Sequence, residues 1–203
     1  MNNYEYIVAS LPVLRPDDRG SDSLDAAGLI EEIRAQLSGR DAAALDRLLD
    51  GYDADKLDEA FYRDVLHHGS RFIREWFGFD LDLRNTTVSF LNTKLERPAG
   101  QDLLLLPERE EVEFPEEEKA RDILHGTDIL ARERGLDELR WQKIDEITWM
   151  DYFDLDAILG YVARLKIIDR WLQLDPDSGR ALFRRLVEQI RSTYDNKKNN
   201  DTI

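Results

Sequence analysis

The chain contains no cysteine, which excludes disulfides, thiol nucleophiles and thiolate metal sites. No apolar run approaches the ~20 residues that a bilayer-crossing helix requires. Glycine-rich phosphate loops of the G-x-G-x-x-G and G-x-x-x-x-G-K-S/T kinds are missing, and so is a nucleophile elbow. The start, Met1 to Arg15, has neither a cationic region nor an apolar stretch long enough for a signal peptide. Basic residues are outnumbered, 28 Lys and Arg against 43 Asp and Glu, for a net charge of −15. So acidic a chain has no general attraction for nucleic acid or anionic lipid, which reward clustered Lys and Arg. These absences predict a soluble, cytoplasmic protein with no nucleic-acid partner. What is there suits one globular unit or two small helical lobes: 203 residues, 42% hydrophobic and 35% charged, with 11 Gly and 6 Pro.

Helical spacing dominates and predicts an all-α protein, with minor short strands near the N-terminus and within 103–114. Tyr4 to Leu14 mixes β-branched and aromatic residues, which suggests a short strand or a buried extended arm. A polar link covers 15–22. Leu24, Ala27, Ile30, Ile33 and Leu37 share one helix face. Ser38 caps the next helix with Asp41 at its third position, and Gly51 stops it. A longer helix is expected from about Ala54 to Phe77, broken by Gly78. Asp82 or Asn85 then opens a further segment, Thr86 to Leu95.

Pro98, Gly100, Pro107 and Pro115 mark the clearest boundary. The expected organisation is an N-terminal helical half at 1–97, an acidic excursion at 98–115, a C-terminal helical half at 116–194 and a disordered tail at 195–203. Between Glu108 and Glu118 there are seven Glu and one base, Arg109. Pro115 followed by three Glu is a good helix start, because acids meet the positive end of the dipole. Further helices are read near 116–134, 136–147, 151–174 and 177–194, with 175–179 as a turn.

Few residues combine into chemistry. Asp64/His67 and Asp122/His125 share a D-x-x-H spacing that puts both groups on one helix face, as in di-metal carboxylate bundle enzymes. Both pairs carry the shorter Asp, and no partner Glu lies on a matching apolar face. Asp80/Asp82 and Asp151/Asp154/Asp156 are paired acids, but acid–base catalysis needs two acids in different environments. Solvated helix starts explain most of them. The small basic groups, Arg180/Arg184/Arg185 and Lys197/Lys198, lack the interleaved aromatics of nucleic-acid surfaces. Trp76, Phe77 and Phe79 surround a glycine, while Trp141, Trp149, Tyr152 and Phe153 cluster later. Such clusters are core packing by default and partner anchors otherwise.

Three stretches carry a resemblance. They are Tyr4-Glu5-Tyr6-Ile7-Val8-Ala9-Ser10; Phe61-Tyr62 with Phe72-Ile73, leading through Asp80-Leu81-Asp82-Leu83-Arg84-Asn85 to Lys94; and Tyr161-Val162, Lys166, Asp169-Arg170 and Leu172. Together they resemble a shortened form of the C/d family, the stalk-to-ring coupling subunits of the V-type and A-type ATPases. The opening is also similar to that of an uncharacterised bacterial family that accompanies V-type ATPase subunits. The resemblance implies a helical funnel that seats the central stalk on the membrane rotor ring, peripheral to the inner membrane. It implies coupling of ATP turnover to ion (proton) transport, with no catalysis, cofactor, metal or small-molecule substrate of its own. Asp82, Asn85, Lys94, Tyr161, Lys166 and Asp169 are its motif positions, with structural roles, Asp82 and Asn85 as helix caps. The other readings are a stand-alone acidic helical adaptor using the Glu-rich loop, and the di-metal bundle enzyme.

Overall fold

The computed structural model describes residues 4–15 and 25–173. Most of the polar link, the 175–179 turn, the 177–194 helix, the tail and their basic groups lie outside the described residues. Among the described residues there are eight α-helices and no strand, so the fold is all-α. No helix among them is long and apolar enough to cross a membrane.

The chain opens with α1 (Glu5–Ser10), where a strand or extended arm was expected. Tyr4, Ile7 and Leu11 lie three and four apart, and all three face the core, so helical spacing is present there too. The backbone N–H of Tyr4 also donates to the Phe153 carbonyl at 2.6 Å, tying this end to the second half of the chain. Next come α2 (Ala26–Gln36) and α3 (Gly39–Asp50). In α2 the inward residue is Ala26, not Ala27, because the cap is Asp25. Ser38 caps α3 as expected, accepting from the Asp41 N–H at 3.3 Å.

The long helix expected over 54–77 is three pieces: a 3-10 turn (Ala54–Lys56), α4 (Glu59–Leu66) and the start of α5 (Arg71–Lys94). Two side-chain caps set the division. Asp58 accepts from Phe61 N–H at 2.7 Å and Ser70 from Ile73 N–H at 3.2 Å, each satisfying an orphan donor. Gly78, expected as a breaker, lies inside α5. A Cβ there would come within 2.8 Å of Arg109 Nη1, so the glycine makes room for a guanidinium from the excursion.

That excursion has no strands; it is turns and one 3-10 turn (Pro107–Arg109). It lies on α5 through buried Leu106 and through Phe114, whose ring meets Phe79 edge-on at 5.9 Å. Then follow α6 (Glu117–His125), α7 (Ile129–Thr148) and α8 (Leu155–Gln173). The break between α6 and α7 falls at Gly126–Asp128 and not near Gly135, because Asp128 caps α7. Gly135 lets α7 approach α6, since a Cβ there would meet Ile123 Cγ2 at 2.9 Å.

One hydrophobic cluster draws on every helix, with α5 at its centre. Phe72, Ile73, Phe77, Leu81 and Leu83 are almost wholly buried, and Phe61 packs edge-on against Phe77 at 5.1 Å. Fully burying side chains of this size stabilises by about 1.5–3 kcal/mol each. The α7–α8 hairpin closes one side of this core and carries the exposed features described next.

Candidate functional site

The six motif positions do not form one site. Asp82 and Asn85 are not caps; both lie mid-helix in α5 and hold the excursion. Arg109 donates to the Asp82 carboxylate, and both side chains are largely buried. Burial pushes the Asp82 carboxyl above its ordinary value, against the pull of Arg109. Asn85 exchanges two bonds with the Leu104 backbone, donating to its carbonyl at 2.9 Å and accepting from its N–H at 3.0 Å. One turn pair further on, buried Asn92 donates to the Gln101 carbonyl at 2.7 Å. Gly78, Asp82, Asn85 and Asn92 thus form a stripe along α5 at spacings of four, three and seven.

Lys94 ends α5, exposed, with its ammonium 5.5 Å over the Phe90 ring. Tyr161 is half-buried, and its hydroxyl has no hydrogen-bond partner. Burial pushes its phenol up to about 12. Lys166 and Asp169 are brought together at 3.2 Å on α8.

Three of the four D-x-x-H residues are engaged elsewhere, and Asp122 is exposed. Asp64 accepts from Arg47 at 2.9 Å, His67 Nδ1 meets the Arg63 carbonyl at 2.8 Å, and the His125 ring lies edge-on to Phe90 at 5.0 Å. Among the described residues no group of three His, Asp or Glu is arranged to hold a metal ion. The acids near the end of α7 are bound into a turn. Arg71, at the start of α5, donates to the Ile147 carbonyl at 2.9 Å and to the Asp151 carboxylate. Ser70 donates to Asp156 at 2.8 Å, and Asp154 caps α8 through the Ala157 N–H at 3.0 Å. Burial and the neighbouring Asp154 raise the Asp151 carboxyl above its ordinary value, with Arg71 opposing them.

This network fixes the backbone of 149–154 but leaves its side chains outside. Trp149 is 71% exposed, Met150 60%, Tyr152 66% and Phe153 44%. Trp141, grouped with them in sequence, is buried. Large apolar side chains held in solvent on a fixed turn are the signature of a contact surface. A second apolar surface lies at the other end of the same hairpin. There Ile129 and Leu130 are exposed at 67% and 52%. They border a hollow completed by Trp171, whose indole N–H donates to Asp137 at 2.7 Å. The 20-residue α7 separates the two surfaces by about 30 Å. Of the residues that build these features, Arg71, Arg109 and Asn92 carried no motif. The only local signal was that Arg109 is the one base among seven acids.

No curated protein and no solved structure matches this chain. A family model described as "Protein of unknown function (DUF2764)" matches residues 51–194, from the end of α3 through both exposed surfaces of the hairpin. That match takes in more than two thirds of the sequence, and the chain belongs to this family.

Proposed function

We propose that this protein is a non-catalytic coupling subunit of a bacterial V/A-type ATPase, joining the central stalk to the membrane rotor ring. The observation that carries the reading is the pair of apolar surfaces at opposite ends of one hairpin, Trp149/Met150/Tyr152 and Ile129/Leu130. A spacer that transmits force must grip two neighbours through separate surfaces on a stiff body. The α7–α8 hairpin is stiffened by Arg164 with Asp145 at 2.6 Å and by Arg170 with Glu133 at 3.3 Å and Asp137. The sequence resemblance to the C/d family names the neighbours. An all-α body fits a helical funnel wall, and attachment to the membrane runs through the complex.

The test is affinity capture of the tagged full-length chain from membranes, with the retained proteins identified. Wild type should retain ATPase stalk and ring subunits together. Trp149→Glu and Leu130→Glu should each lose one neighbour and keep the other, with unchanged helical content. Capture without any ATPase subunit would sink the reading and favour the stand-alone adaptor.

A further inference from the structure

A pocket of about 320 Å3 opens where four helices meet, at the end of α3, the middle of α5, and α7 and α8. Clefts between helices of a bundle are common places for small-molecule sites, and this volume is at the lower end of their range. Its apolar wall is Trp76 and Phe77, both buried, with the ring of Tyr52 opposite.

The polar lining is balanced in sign: three acids, Asp80, Asp137 and Asp169, face three bases, Arg140, Lys166 and Arg170. They are not equally occupied. Asp137, 6% exposed, accepts from Arg140 at 2.9 Å, from Arg170 and from the Trp171 indole, which takes up most of its acceptor capacity. It thereby fixes Arg140 on the wall by one nitrogen, and among the described residues nothing else bonds that guanidinium. Lys166 is restrained by Asp169 at 3.2 Å and lies 5.7 Å over the Tyr52 ring, with ammonium donors to spare. Asp80 accepts from the Tyr62 hydroxyl at 2.7 Å, and among the described residues it has no cation in ion-pair contact, although Arg84 acts on the same hydroxyl.

Tyr52 is 39% exposed and lines the pocket beside Asp80, Asp137 and Arg140. Burial, reinforced by the charges of Asp80 and Asp137 against that of Arg140, keeps the phenol protonated far above neutral pH. It therefore contributes an O–H donor, and no described residue accepts from it.

We propose that this pocket binds a free apolar α-amino acid, its carboxylate held by Arg140, Lys166 and Tyr52 and its ammonium by Asp80. The assignment follows from charge. A simple anion would be repelled by Asp80 and Asp169, and a simple cation by Arg140 and Lys166. A small zwitterion satisfies both walls at once, and its side chain lies on Trp76 and Phe77. Charge-assisted hydrogen bonds to preoriented groups are the strong ones. This inference stands apart from the coupling reading and survives its failure.

The experiment is calorimetric titration of the full-length protein with L-leucine and with L-phenylalanine. Phenethylamine and 3-phenylpropionate serve as the matched half-ligands. At least one amino acid should bind with Kd at or below about 1 mM, and each half at least about tenfold more weakly than phenylalanine. Asp80→Asn, which keeps an acceptor for Tyr62, should weaken amino-acid binding about tenfold and, by removing a repelling charge, leave 3-phenylpropionate bound as well or better. Lys166→Gln should weaken the amino acid and 3-phenylpropionate alike, and leave phenethylamine bound as well or better. Circular dichroism and melting of each variant confirm that it is folded. Absence of binding by both amino acids at about 10 mM would overturn the proposal. So would half-ligands that bind as well as the whole, or affinity untouched by both substitutions.

Discussion

Two residues show how much a single polar group is worth in this fold. Tyr161 buries a hydroxyl without a partner, which costs the desolvation of that group and returns nothing. Tyr161→Phe should therefore stabilise the protein by about 1 kcal/mol at pH 7 in urea unfolding. The pH dependence follows from the same burial. The folded state favours the neutral phenol, whose pKa is pushed up to about 12, so the penalty is constant below about pH 10 and grows between there and 12 as the unfolded chain ionises first. The advantage of the Phe variant should widen across that window; a constant gap would mean the hydroxyl is solvated. Asn85 is the opposite case, since both ends of its amide are used on the Leu104 backbone. Asn85→Ala should cost about 1–3 kcal/mol, because it leaves a half-buried N–H and C=O unpaired. Hydrogen exchange at the Leu104 amide should accelerate in step. Unchanged exchange there would show that the excursion is held by other contacts.

At the scale of elements, local chemistry is legible in the sequence and long-range packing is not. The Ser38 cap and the helical spacing of α2, α3 and α8 can be read directly, because their signals lie within a few residues, whereas the Ser38 N–H and Asp41 carboxylate meet the distant Tyr4 hydroxyl. The division of 54–77 is legible in principle, since Asp58 and Ser70 are both good cap residues. Gly78 looks like a breaker because its reason is 31 positions away, in a guanidinium that needs the missing Cβ. Asp82 and Asn85 look like caps in sequence for the same reason: only the folded excursion reveals their partners. A double-mutant cycle tests this account of α5. Glycine costs about 1 kcal/mol against alanine in a free helix interior, so Gly78→Ala should stabilise if local propensity decides. Here it should destabilise, by pushing Arg109 off Asp82 where both are largely buried. In an Arg109→Ala background the same substitution should become neutral or stabilising. The same sign in both backgrounds would refute the role given to the glycine.

For the whole molecule, charge and apolar surface act on different steps of association. The chain carries −15, spread over its solvated faces, whereas Trp149, Met150 and Tyr152 are side chains without charge. Distributed charge acts at long range and steers encounter with a basic partner surface, and salt screens it within about 10 Å at 0.1 M. Apolar anchors act only on contact and set how long the complex lasts. Under the coupling function proposed above, binding to immobilised V/A-type ATPase should therefore separate the two. Raising salt from about 0.05 to 0.5 M should slow association about tenfold or more, with little change in dissociation. Trp149→Ala should leave association nearly unchanged and speed dissociation about 30-fold, the value of a 2 kcal/mol anchor. Trp76 and Trp141 are buried but Trp171 is half-buried at the other surface, so in a Trp171→Phe background loss of acrylamide quenching on binding reports mainly on Trp149. If dissociation ignored Trp149 while its quenching persisted in the complex, the turn between α7 and α8 would not be the gripping surface. Ile129 and Leu130 alone would then remain as an exposed apolar contact, and the proposed two-ended grip would fail.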